Sequence, residues 1–470
     1  MPQPFLVGGE WRQSEHILAI HFPYDGSIVD RVCLAGPEDV QDAIAAAQRG
    51  FAETRRLPAY RRSDILEGLR ELVAERTDDF VELMILESGK NHQTAAAETA
   101  RALQTLKIAA EEARRLPGEM LSLDWTAAGA GRRGLTRRAP IGTVAAIAPF
   151  NYPLNLACHK IGPAIACGNA FILKPSERTP LSSVLLAELI LEAGYPPLAF
   201  SMLNCLGEVA EALVRDDRVA MLSFTGSAAV GWMLKSIAGR KKVALELGGN
   251  AGLIVHGDAD LTNAQSQACA GAFANAGQNC ISVQRILIQH TVYEAFTDGF
   301  LQQVSALRCG DPRDPETDVG PLIHERDAAR AEAWVEAALH EGATRLLGGE
   351  RQGTFFPPTV LAETTPKMRV NCDEVFAPIV TLAPYRDFRE AIERINDSEY
   401  GLQAGLFTQD IDRIFAAWEE IDVGGLVING VPTFRVDHMP YGGIKASGFG
   451  REGLRYAIEE MTELRLLVLG

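Results

Sequence analysis

Short β-rich runs alternate with amphipathic helical stretches through most of the sequence, and this alternation restricts the fold more than any other feature. Strands that alternate with helices along a chain form parallel sheets covered by helices on both faces. The pattern is clearest from Ile141, where IGTVAAIAP precedes a predicted helix over 153–167, the strand AFILKPS and a predicted helix over 180–193. The sequence therefore predicts an α/β fold.

Two successive α/β series follow each other along the chain. The first continues with the strands AFSMLNCLG, VAMLSFTGS and KKVALELGG, and this order is typical of a dinucleotide-binding sheet. The second begins after Asn250 with AGLIVH, continues through VQRILIQH and ends near GGLVING. A chain of 470 residues exceeds what one hydrophobic core usually organises, so we expect two large domains.

Three segments flank these series. Segment 37–115 predicts consecutive helices, because its apolar residues recur three and four positions apart. The Gly/Arg-rich stretch AAGAGRRGLTRRAP predicts an exposed turn between two strands, and the terminal YAIEEMTELRLLVLG predicts an extra strand that pairs outside its own domain. An unpaired apolar strand would be an aggregation hazard, so this strand indicates association with another subunit.

Charge and cysteine usage exclude several classes of function. A net charge of -16 repels a phosphate backbone, so nucleic acid is not an expected partner. Eight cysteines without CxxC pairs or a neighbouring His cluster predict no metal site and favour a reducing compartment. The N-terminus has no signal-like pattern and no run reaches the roughly 18 apolar residues of a membrane span, so we expect a cytoplasmic protein.

Cys280 is a candidate nucleophile. It lies in FANAGQNCISVQR, a small and polar run between the end of a predicted helix and a strand. Only the thiolate attacks carbonyl carbon, and exposed backbone dipoles at a helix end lower a thiol pKa. For an isolated cysteine, a buried structural role is the more common interpretation.

Two further polar residues follow predicted strands. Glu246 ends KKVALELGGN, where paired glycines allow a sharp turn and a carboxylate can activate water. Asn151 in IAPFNYP precedes a proline that starts a helix, and its amide can donate to a developing oxyanion. The alternatives are a solvated strand-end Glu and a helix-capping Asn.

Another set indicates a cofactor. Lys174 in FILKPSERTP stands at the carboxyl end of a strand, where it can bind a ribose or a phosphate. Gly226 and Ser227 open a helix whose N-terminus can face a pyrophosphate. The sequence has no GxGxxG fingerprint, so the usual sign of a Rossmann domain is missing.

Taken together and in order, PFNYP, LKPSERTP, SFTGS, LELGGN, GQNC, EVFAP and MPYGGIKASGFGREG resemble the aldehyde dehydrogenase superfamily. The resemblance extends from FLVGGEW to the last strand. It implies a Rossmann-like NAD-binding domain, an α/β catalytic domain and a β-strand oligomerisation arm, assembled into homodimers or homotetramers. The implied boundaries are 1–116 with 141–247 for the NAD-binding domain, 248–430 for the catalytic domain, 117–140 with 453–470 for the arm, and 431–452 for a segment returning past the active site.

The same resemblance assigns roles to single residues. It implies Cys280 as nucleophile, Glu246 as general base and Asn151 as oxyanion donor, and it adds Lys174 to this catalytic set. It implies a cofactor site made of Ala148, Pro149, Phe150, Lys174, Ser176, Glu177, Phe224, Gly226, Ser227, Leu247, Glu374 and Phe376. The commonest family pattern differs at Ala377, at Asn279 and in the glycine-poor LNCLGEVAEAL.

The implied reaction oxidises an aldehyde with a nicotinamide cofactor. Cys280 attacks the aldehyde, hydride leaves for the cofactor, and water activated by Glu246 hydrolyses the thioester. Glu177 would repel a 2′-phosphate while suiting a free 2′-hydroxyl, so we predict NAD rather than NADP, which remains the alternative.

The substrate is expected to be a small polar or anionic aldehyde. The segments NYPLNLACHKI and TFRVDHMPYGG look most like those of family members that oxidise lactaldehyde, phosphonoacetaldehyde or sulfoacetaldehyde. Arg101, His159 and Arg435 are therefore candidates to line an anion-accepting pocket, although a solvated or salt-bridged surface role is the alternative. Asn279 stands where a cation would suit a phosphonate, which argues against a doubly charged substrate.

Two alternatives stay open at this point. A coenzyme A-acylating dehydrogenase would use the same scaffold but lack the glutamate found at Glu246. A non-catalytic member of the fold would have no use for the full catalytic set. A Ser-His-Asp hydrolase and a P-loop enzyme are disfavoured, because the sequence contains neither GxSxG with suitable partners nor a Walker motif.

Overall fold

The computed structural model describes residues 1–470 and confirms the predicted α/β fold. The first sheet has eight strands, in the spatial order Glu10–Arg12, Phe5–Val7, Phe200–Met202, Ala170–Lys174, Thr143–Ile147, Val219–Thr225, Lys242–Glu246 and Gly448–Phe449. The third to seventh of these strands are parallel, and Thr143–Ile147, the earliest in the chain, lies at their centre. Strands that run outward from a central first strand create a crevice at their carboxyl ends, where dinucleotides bind.

Helices cover both faces of this sheet. They are Pro37–Thr54, Ala59–Glu75, Thr77–Ser88, His92–Ala113, Pro153–Cys167, Leu181–Glu192, Gly207–Arg215, Ala228–Ile237 and Leu454–Glu460. The helix Pro153–Cys167 is buried along its whole length, starts with a proline and ends at Gly168, whose φ of 84° is in the left-handed region. The predicted helical segment 37–115 therefore consists of four separate helices, and the helix predicted over 153–167 has the predicted bounds.

The second sheet has seven strands, in the spatial order Thr344–Leu347, Thr359–Ala362, Ile379–Tyr385, Val283–Gln289, Ala251–Val255, Gln403–Phe407 and Gly425–Ile428. All neighbouring strands are parallel except the first pair. Its helices are Leu261–Phe273, Tyr293–Ser305, Glu325–His340, Arg369–Cys372, Phe388–Asn396 and Ile411–Glu420. This sheet has its own apolar core, as expected for a second large unit.

A three-stranded antiparallel sheet extends from this body. It pairs Met120–Ser122 and Thr462–Leu469 with Arg133–Pro140. The exposed turn predicted from AAGAGRRGLTRRAP connects Met120–Ser122 to Arg133–Pro140. The expectation of an arm beginning at 453 is wrong in one respect. Leu454 and Ile458 belong to a buried helix in the core of the first sheet, so the terminal arm strand starts at Thr462.

Two short antiparallel pairs complete the strands: Ile17–His21 with Ile28–Cys33, and Tyr400–Gly401 with Ile444–Lys445. Short 3-10 turns occupy Ala127–Gly129, Pro197–Ala199 and Ala274–Gly277. No helix is long and apolar enough to cross a membrane.

The two large sheets meet at opposite strand ends. Glu246 is the last residue of a strand in the first sheet, and Ala251 begins a strand of the second sheet five positions later in the sequence. Cys280 lies three positions before the strand Val283–Gln289 of the second sheet. The carboxyl ends of the first sheet therefore face the amino ends of the second, and the candidate residues converge at this junction.

Candidate active site

A cleft of about 800 Å³ lies between the two sheets. It is lined by the predicted catalytic residues Cys280, Glu246, Asn151 and Lys174. The remaining predicted residues along it are Arg101, Ala148, Pro149, Phe150, Ser176, Glu177, Phe224, Gly226, Ser227, Leu247, Glu374, Phe376 and Arg435. His159 is the one predicted site residue that does not line the cleft.

Cys280 is half-buried in the turn before its strand. Its Sγ lies 3.2 Å from the Tyr441 hydroxyl oxygen. Burial raises the pKa of the thiol to about 11, while the Tyr441 hydrogen bond and the positive charge of Arg435 act in the opposite direction. The thiol is therefore protonated in the resting site, and its deprotonation must accompany or precede attack on a substrate.

Glu246 is a buried carboxylate without a hydrogen-bond partner. Glu246 is 4% exposed, and neither carboxylate oxygen accepts a hydrogen bond from the protein. Burial, followed by the negative charge of Glu452, raises the pKa of Glu246 well above its ordinary value, although Arg435 and Lys160 oppose the shift. Leaving a buried carboxylate unpaired is costly, so Glu246 is a candidate for proton transfer in the cleft that it shares with Cys280.

Asn151 connects a strand of the first sheet to the buried helix Pro153–Cys167. Its Nδ2 donates to the backbone oxygen of Gln278 at 3.0 Å, which aims the amide toward the loop that carries Cys280. The second hydrogen of this amide and the backbone N–H of Cys280 have no hydrogen-bond acceptor in the protein. Two donors of this kind beside one thiol can stabilise an oxyanion that develops on an attacked carbonyl.

A buried ion pair fixes the start of the helix that follows Asn151. The carboxylate of Glu98 accepts hydrogen bonds from the backbone N–H groups of Leu154 and Asn155, at 2.9 and 3.0 Å. Lys90 forms an ion pair with Glu98, and its Nζ lies 4.2 Å from the centre of the Tyr152 ring. An acceptor at a helix N-terminus satisfies otherwise unpaired amides, so this pair holds the residues around Asn151 in place.

The other half of the cleft fits a nicotinamide dinucleotide. Lys174 ends a central strand and forms an ion pair of 2.9 Å with Glu177. Ser227 precedes the helix Ala228–Ile237, whose first turn has no side-chain cap and faces the cleft. A Cβ at Gly226 would lie 2.5 Å from the Phe224 ring, so only a glycine allows the backbone to pass this close to the ring in the wall of the cleft. Uncapped amides at a helix N-terminus suit a pyrophosphate, and the neighbouring polar groups suit a ribose.

Glu374 and Phe376 form the opposite wall. Glu374 accepts a hydrogen bond from the backbone N–H of Gly249 at 3.0 Å, and burial raises its pKa to about 7. The Phe376 ring meets Phe150 edge to face, with centroids 5.9 Å apart. A carboxylate beside an aromatic wall matches the surroundings predicted for a nicotinamide ribose and ring.

The predicted anion-binding residues divide into two groups. The Arg101 side chain is 32% exposed and lines the cleft, and Arg435 lies across the Tyr441 ring with its guanidinium carbon 3.7 Å from the centroid. His159 is instead fully buried, with Nε2 at 2.8 Å from Asp437. The expectation of a substrate contact from His159 is thus not met, because the ring is directed to a carboxylate behind the cleft wall.

Sequence reasoning assigned no role to four residues of this region. They are Lys160, Tyr441, Asp437 and Glu452. Lys160 Nζ lies 3.1 Å from Glu452, which also receives a hydrogen bond from Arg435 at 3.2 Å. Tyr441 and Glu452 lie within MPYGGIKASGFGREG, and the sequence analysis used this motif only as a whole. For Asp437, the only signal in the sequence is an acidic residue between Arg435 and a histidine.

Comparisons with known proteins agree with this site. The model of the aldehyde dehydrogenase family matches residues 11–467. A 3-sulfolactaldehyde dehydrogenase of Priestia aryabhattai is 44% identical over 98% of this chain and 97% of that protein.

Two solved structures extend the comparison. The structure of aldehyde dehydrogenase 21 from Physcomitrella patens, in complex with the reaction product succinate, has a TM-score of 0.97, 38% identity and coverage of 100% and 98% of the two chains. A glyceraldehyde-3-phosphate dehydrogenase of Methanocaldococcus jannaschii, complexed with NADP, has a TM-score of 0.94, 36% identity and coverage of 97% and 99%.

These matches confirm the predicted fold, the enzyme class and the NAD(P) class of cofactor. They span nearly the whole chain and nearly the whole of each relative, so the similarity is not confined to one shared segment. The chain is a member of the aldehyde dehydrogenase family, an oxidoreductase of the aldehyde group.

Proposed function

We propose that this enzyme oxidises a small aldehyde bearing an acid group to the carboxylic acid, with NAD as the preferred cofactor. The observation that carries the proposal is the convergence of Cys280, Asn151 and Glu246 on one cleft whose wall also contains Arg101 and Arg435. Nucleophile, oxyanion donor and base are thereby combined with cations that suit an acid group.

The first step forms a covalent bond between substrate and protein. The Cys280 sulfur, once deprotonated, attacks the aldehyde carbon, and the carbonyl oxygen becomes an oxyanion. The Asn151 amide and the Cys280 backbone N–H donate hydrogen bonds to that oxygen. Each such donor is worth roughly 3 to 4 kcal/mol of transition-state stabilisation in comparable enzymes.

The second half of the reaction releases the acid. A nicotinamide cofactor, held by residues such as Lys174, Ser227 and Glu374, would supply the hydride acceptor for conversion of the adduct on Cys280 to a thioester. Glu246 takes a proton from water, and the resulting hydroxide attacks the thioester carbon. The carboxylic acid departs and the thiolate is restored, so the thiol is not consumed.

Several observations support an acid group on the substrate. Arg101 has a guanidinium nitrogen, Nη1, without a partner in the protein, and its side chain lines the cleft. The relative from Priestia acts by its name on a sulfonated aldehyde, and the structure from Physcomitrella contains a dicarboxylate product. A planar guanidinium binds carboxylate and sulfonate oxygens in pairs, so both chemistries suit this wall.

The experiment is NADH formation at neutral pH over a panel of small aldehydes that differ in charge, followed by analysis of the product. We expect the highest kcat/KM for an aldehyde with a carboxylate or sulfonate, release of the free acid, and no turnover by Cys280→Ala. Turnover by that variant would remove Cys280 from the mechanism. Formation of acyl-coenzyme A in place of free acid would identify an acylating enzyme, and uniform inactivity would favour a non-catalytic role.

We also propose that the enzyme is a cytoplasmic homodimer or homotetramer. All eight cysteines are free, which suits a reducing compartment. The arm strand Thr462–Leu469 is an edge strand with exposed leucines at 464, 466 and 467, and a second copy of the chain would cover them. A monomeric mass in solution scattering at micromolar concentration would contradict the assembly.

A further inference from the structure

Behind the cleft wall, Asp437 is the meeting point of three side chains. One of its oxygens, Oδ1, lies 2.7 Å from Arg101 Nη2, 2.8 Å from His159 Nε2 and 3.3 Å from Asn155 Nδ2. The side chain of Asp437 is 5% exposed and does not line the cleft itself. It therefore does not contact the contents of the cleft, and it acts on them through its charge and through its partners, above all Arg101.

His159 contributes a hydrogen bond to this cluster and no charge. Its Nδ1 is buried and has no partner, so a proton on that nitrogen would be unsatisfied. Burial, followed by the positive charge of Arg435, lowers the pKa of His159. The ring is accordingly neutral, with the proton on Nε2 donated to Asp437.

Asp437 holds one edge of the Arg101 guanidinium and leaves the other edge free. Nη2 and Nε of Arg101 lie 2.7 and 3.5 Å from the two carboxylate oxygens. Nη1 has no protein acceptor, and the side chain lines the cleft. The free edge can accept an acid group in a paired geometry, while the carboxylate behind it balances the charge of the arginine.

The other arginine of this wall, Arg435, also has a buried carboxylate behind it. The Arg435 guanidinium lies 3.2 Å from Glu452, and Lys160 lies 3.1 Å from the same carboxylate. Residue 279, beside the nucleophile, is a neutral asparagine. Each arginine of this wall thus has a buried carboxylate behind it, and only Lys160, which does not line the cleft, is in excess over these carboxylates.

We propose that Asp437 is a specificity-determining residue, which limits the cleft to aldehydes with a singly charged acid group by balancing the charge of Arg101. The inference rests on the proposed function, because it concerns the same acid-binding wall. Coulomb energy is proportional to charge, so a carboxylate behind Arg101 opposes a dianion twice as strongly as a monoanion at the same place. A carboxylate or a sulfonate is accepted, and a phosphate dianion is disfavoured.

The charge of Asp437 persists at neutral pH. Burial alone would raise its pKa, but the hydrogen bond from His159 and the neighbouring Arg101 lower the pKa overall. Loss of the negative charge therefore requires a substitution.

The test compares kcat/KM at pH 8 for succinic semialdehyde, a monoanion, and glyceraldehyde 3-phosphate, a dianion. The informative quantity is the ratio of the dianion value to the monoanion value, because a change of charge at this wall affects the dianion more, whereas a loss of active enzyme lowers both values alike. In Asp437→Asn this ratio is expected to rise by roughly three- to tenfold, as a unit charge in a partly hydrated cleft implies. Asp437→Glu keeps the charge and alters the geometry, so its ratio is expected to stay at the wild-type value.

Two further measurements keep the inference testable. Arg101→Gln changes the charge in the opposite sense and should lower the ratio of the dianion value to the monoanion value. This variant provides the test if Asp437→Asn fails to fold. Where turnover of the phosphate is too slow, the inhibition constants of 3-phosphoglycerate and succinate give the corresponding ratio.

The outcomes separate the two proposals. A wild-type enzyme that oxidises succinic semialdehyde, with a ratio that is unchanged or lower in Asp437→Asn, would overturn the role of Asp437 and leave the acid-bearing substrate intact. An equal rise in Asp437→Asn and Asp437→Glu would assign the effect to geometry and overturn the charge argument. A wild-type enzyme that prefers neutral aldehydes would overturn the substrate proposal and this inference with it.

Discussion

The Tyr441 hydroxyl oxygen lies 3.2 Å from the sulfur of Cys280, and this is the closest polar contact of the nucleophile. A donor at this position stabilises the thiolate more than the thiol, because a hydrogen bond to a charged group is the stronger one. It partly offsets the burial that raises the Cys280 pKa to about 11. Tyr441 is therefore expected to control how readily the nucleophile ionises.

Tyr441→Phe should raise the pKa of Cys280 and slow its alkylation by iodoacetamide about tenfold at neutral pH, the value of one charge-assisted hydrogen bond. The measurement is the inactivation rate as a function of pH, which should keep its limiting value and shift to higher pH. Tyr400→Phe is the matched control, because Tyr400 lines the cleft without a hydrogen bond to Cys280. An unshifted profile in Tyr441→Phe would show that the hydroxyl does not support the thiolate.

Glu246→Gln should separate the two halves of the reaction. The glutamine cannot take a proton from water, so the thioester should form and then persist. We expect a first turnover of NADH close to the wild-type amplitude and a steady-state kcat lower by about 10² to 10⁴, the usual contribution of a general base. Stopped-flow absorbance measures both phases. Loss of the first turnover together with the steady state would instead place Glu246 before thioester formation.

The rate of deacylation should rise with pH. The base must be a carboxylate, and burial together with Glu452 raises the pKa of Glu246 well above its ordinary value. Lowering the pH below that raised pKa protonates the base, so the hydrolysis rate falls on the acid side and reaches a plateau on the alkaline side. Single-turnover release of the acid from a preformed thioester gives this profile. The acid limb should disappear from the residual rate of Glu246→Gln, and its persistence there would assign it to another group.

Much of this fold could be predicted because its elements are locally determined. The helix over 153–167 has a proline at its first position and a glycine after its last, and both signals are visible in the sequence. The start of the arm could not be placed from the sequence, because apolar residues such as Leu454 and Ile458 fit a strand and a helix equally well. Only packing against the helices of the first sheet decides between the two.

The residues of the candidate site also differ in how well the sequence predicts them. Cys280, Glu246 and Asn151 stand at strand ends or turns within recognisable motifs, so the sequence predicted that they converge. Asp437 and the burial of His159 depend on contacts between residues 278 positions apart in the chain. No local periodicity reports such a pair, and the sequence around His159 has the same pattern whether the ring faces a substrate or a carboxylate.

The buried pair Lys90 and Glu98 should be important for stability. Both side chains are fully buried, and Glu98 also accepts two amides at the start of the helix after Asn151. Glu98→Gln keeps an acceptor but leaves the Lys90 ammonium unpaired, which should lower the free energy of unfolding by about 3 to 5 kcal/mol. Urea denaturation followed by circular dichroism measures the change.

Two variants test the cause of that loss. Lys90→Met combined with Glu98→Gln removes both charges and should recover most of the stability, because no buried charge is left unpaired. Glu111→Gln breaks an exposed pair with Arg115 and should change the free energy of unfolding by less than about 1 kcal/mol. A double variant as unstable as Glu98→Gln would show that the missing carboxylate, and not the unpaired lysine, destabilises the fold.

Glu177 should determine the preference for NAD over NADP. Its carboxylate lines the cleft and is held 2.9 Å from Lys174 at the end of a central strand, where the adenosine ribose is expected. A negative charge at this place accepts a hydrogen bond from a free 2′-hydroxyl and repels a 2′-phosphate. In Glu177→Gln the amide can still accept a hydrogen bond, but the repulsion is gone. The ratio of kcat/KM with NADP to kcat/KM with NAD should therefore rise by about tenfold.

The affinities for NADPH and NADH, measured by fluorescence without any turnover, should change in the same direction. Glu188→Gln removes the same charge from an exposed position outside the cleft and should leave both ratios unchanged, so an equal effect of the two variants would indicate net charge and not contact with the cofactor.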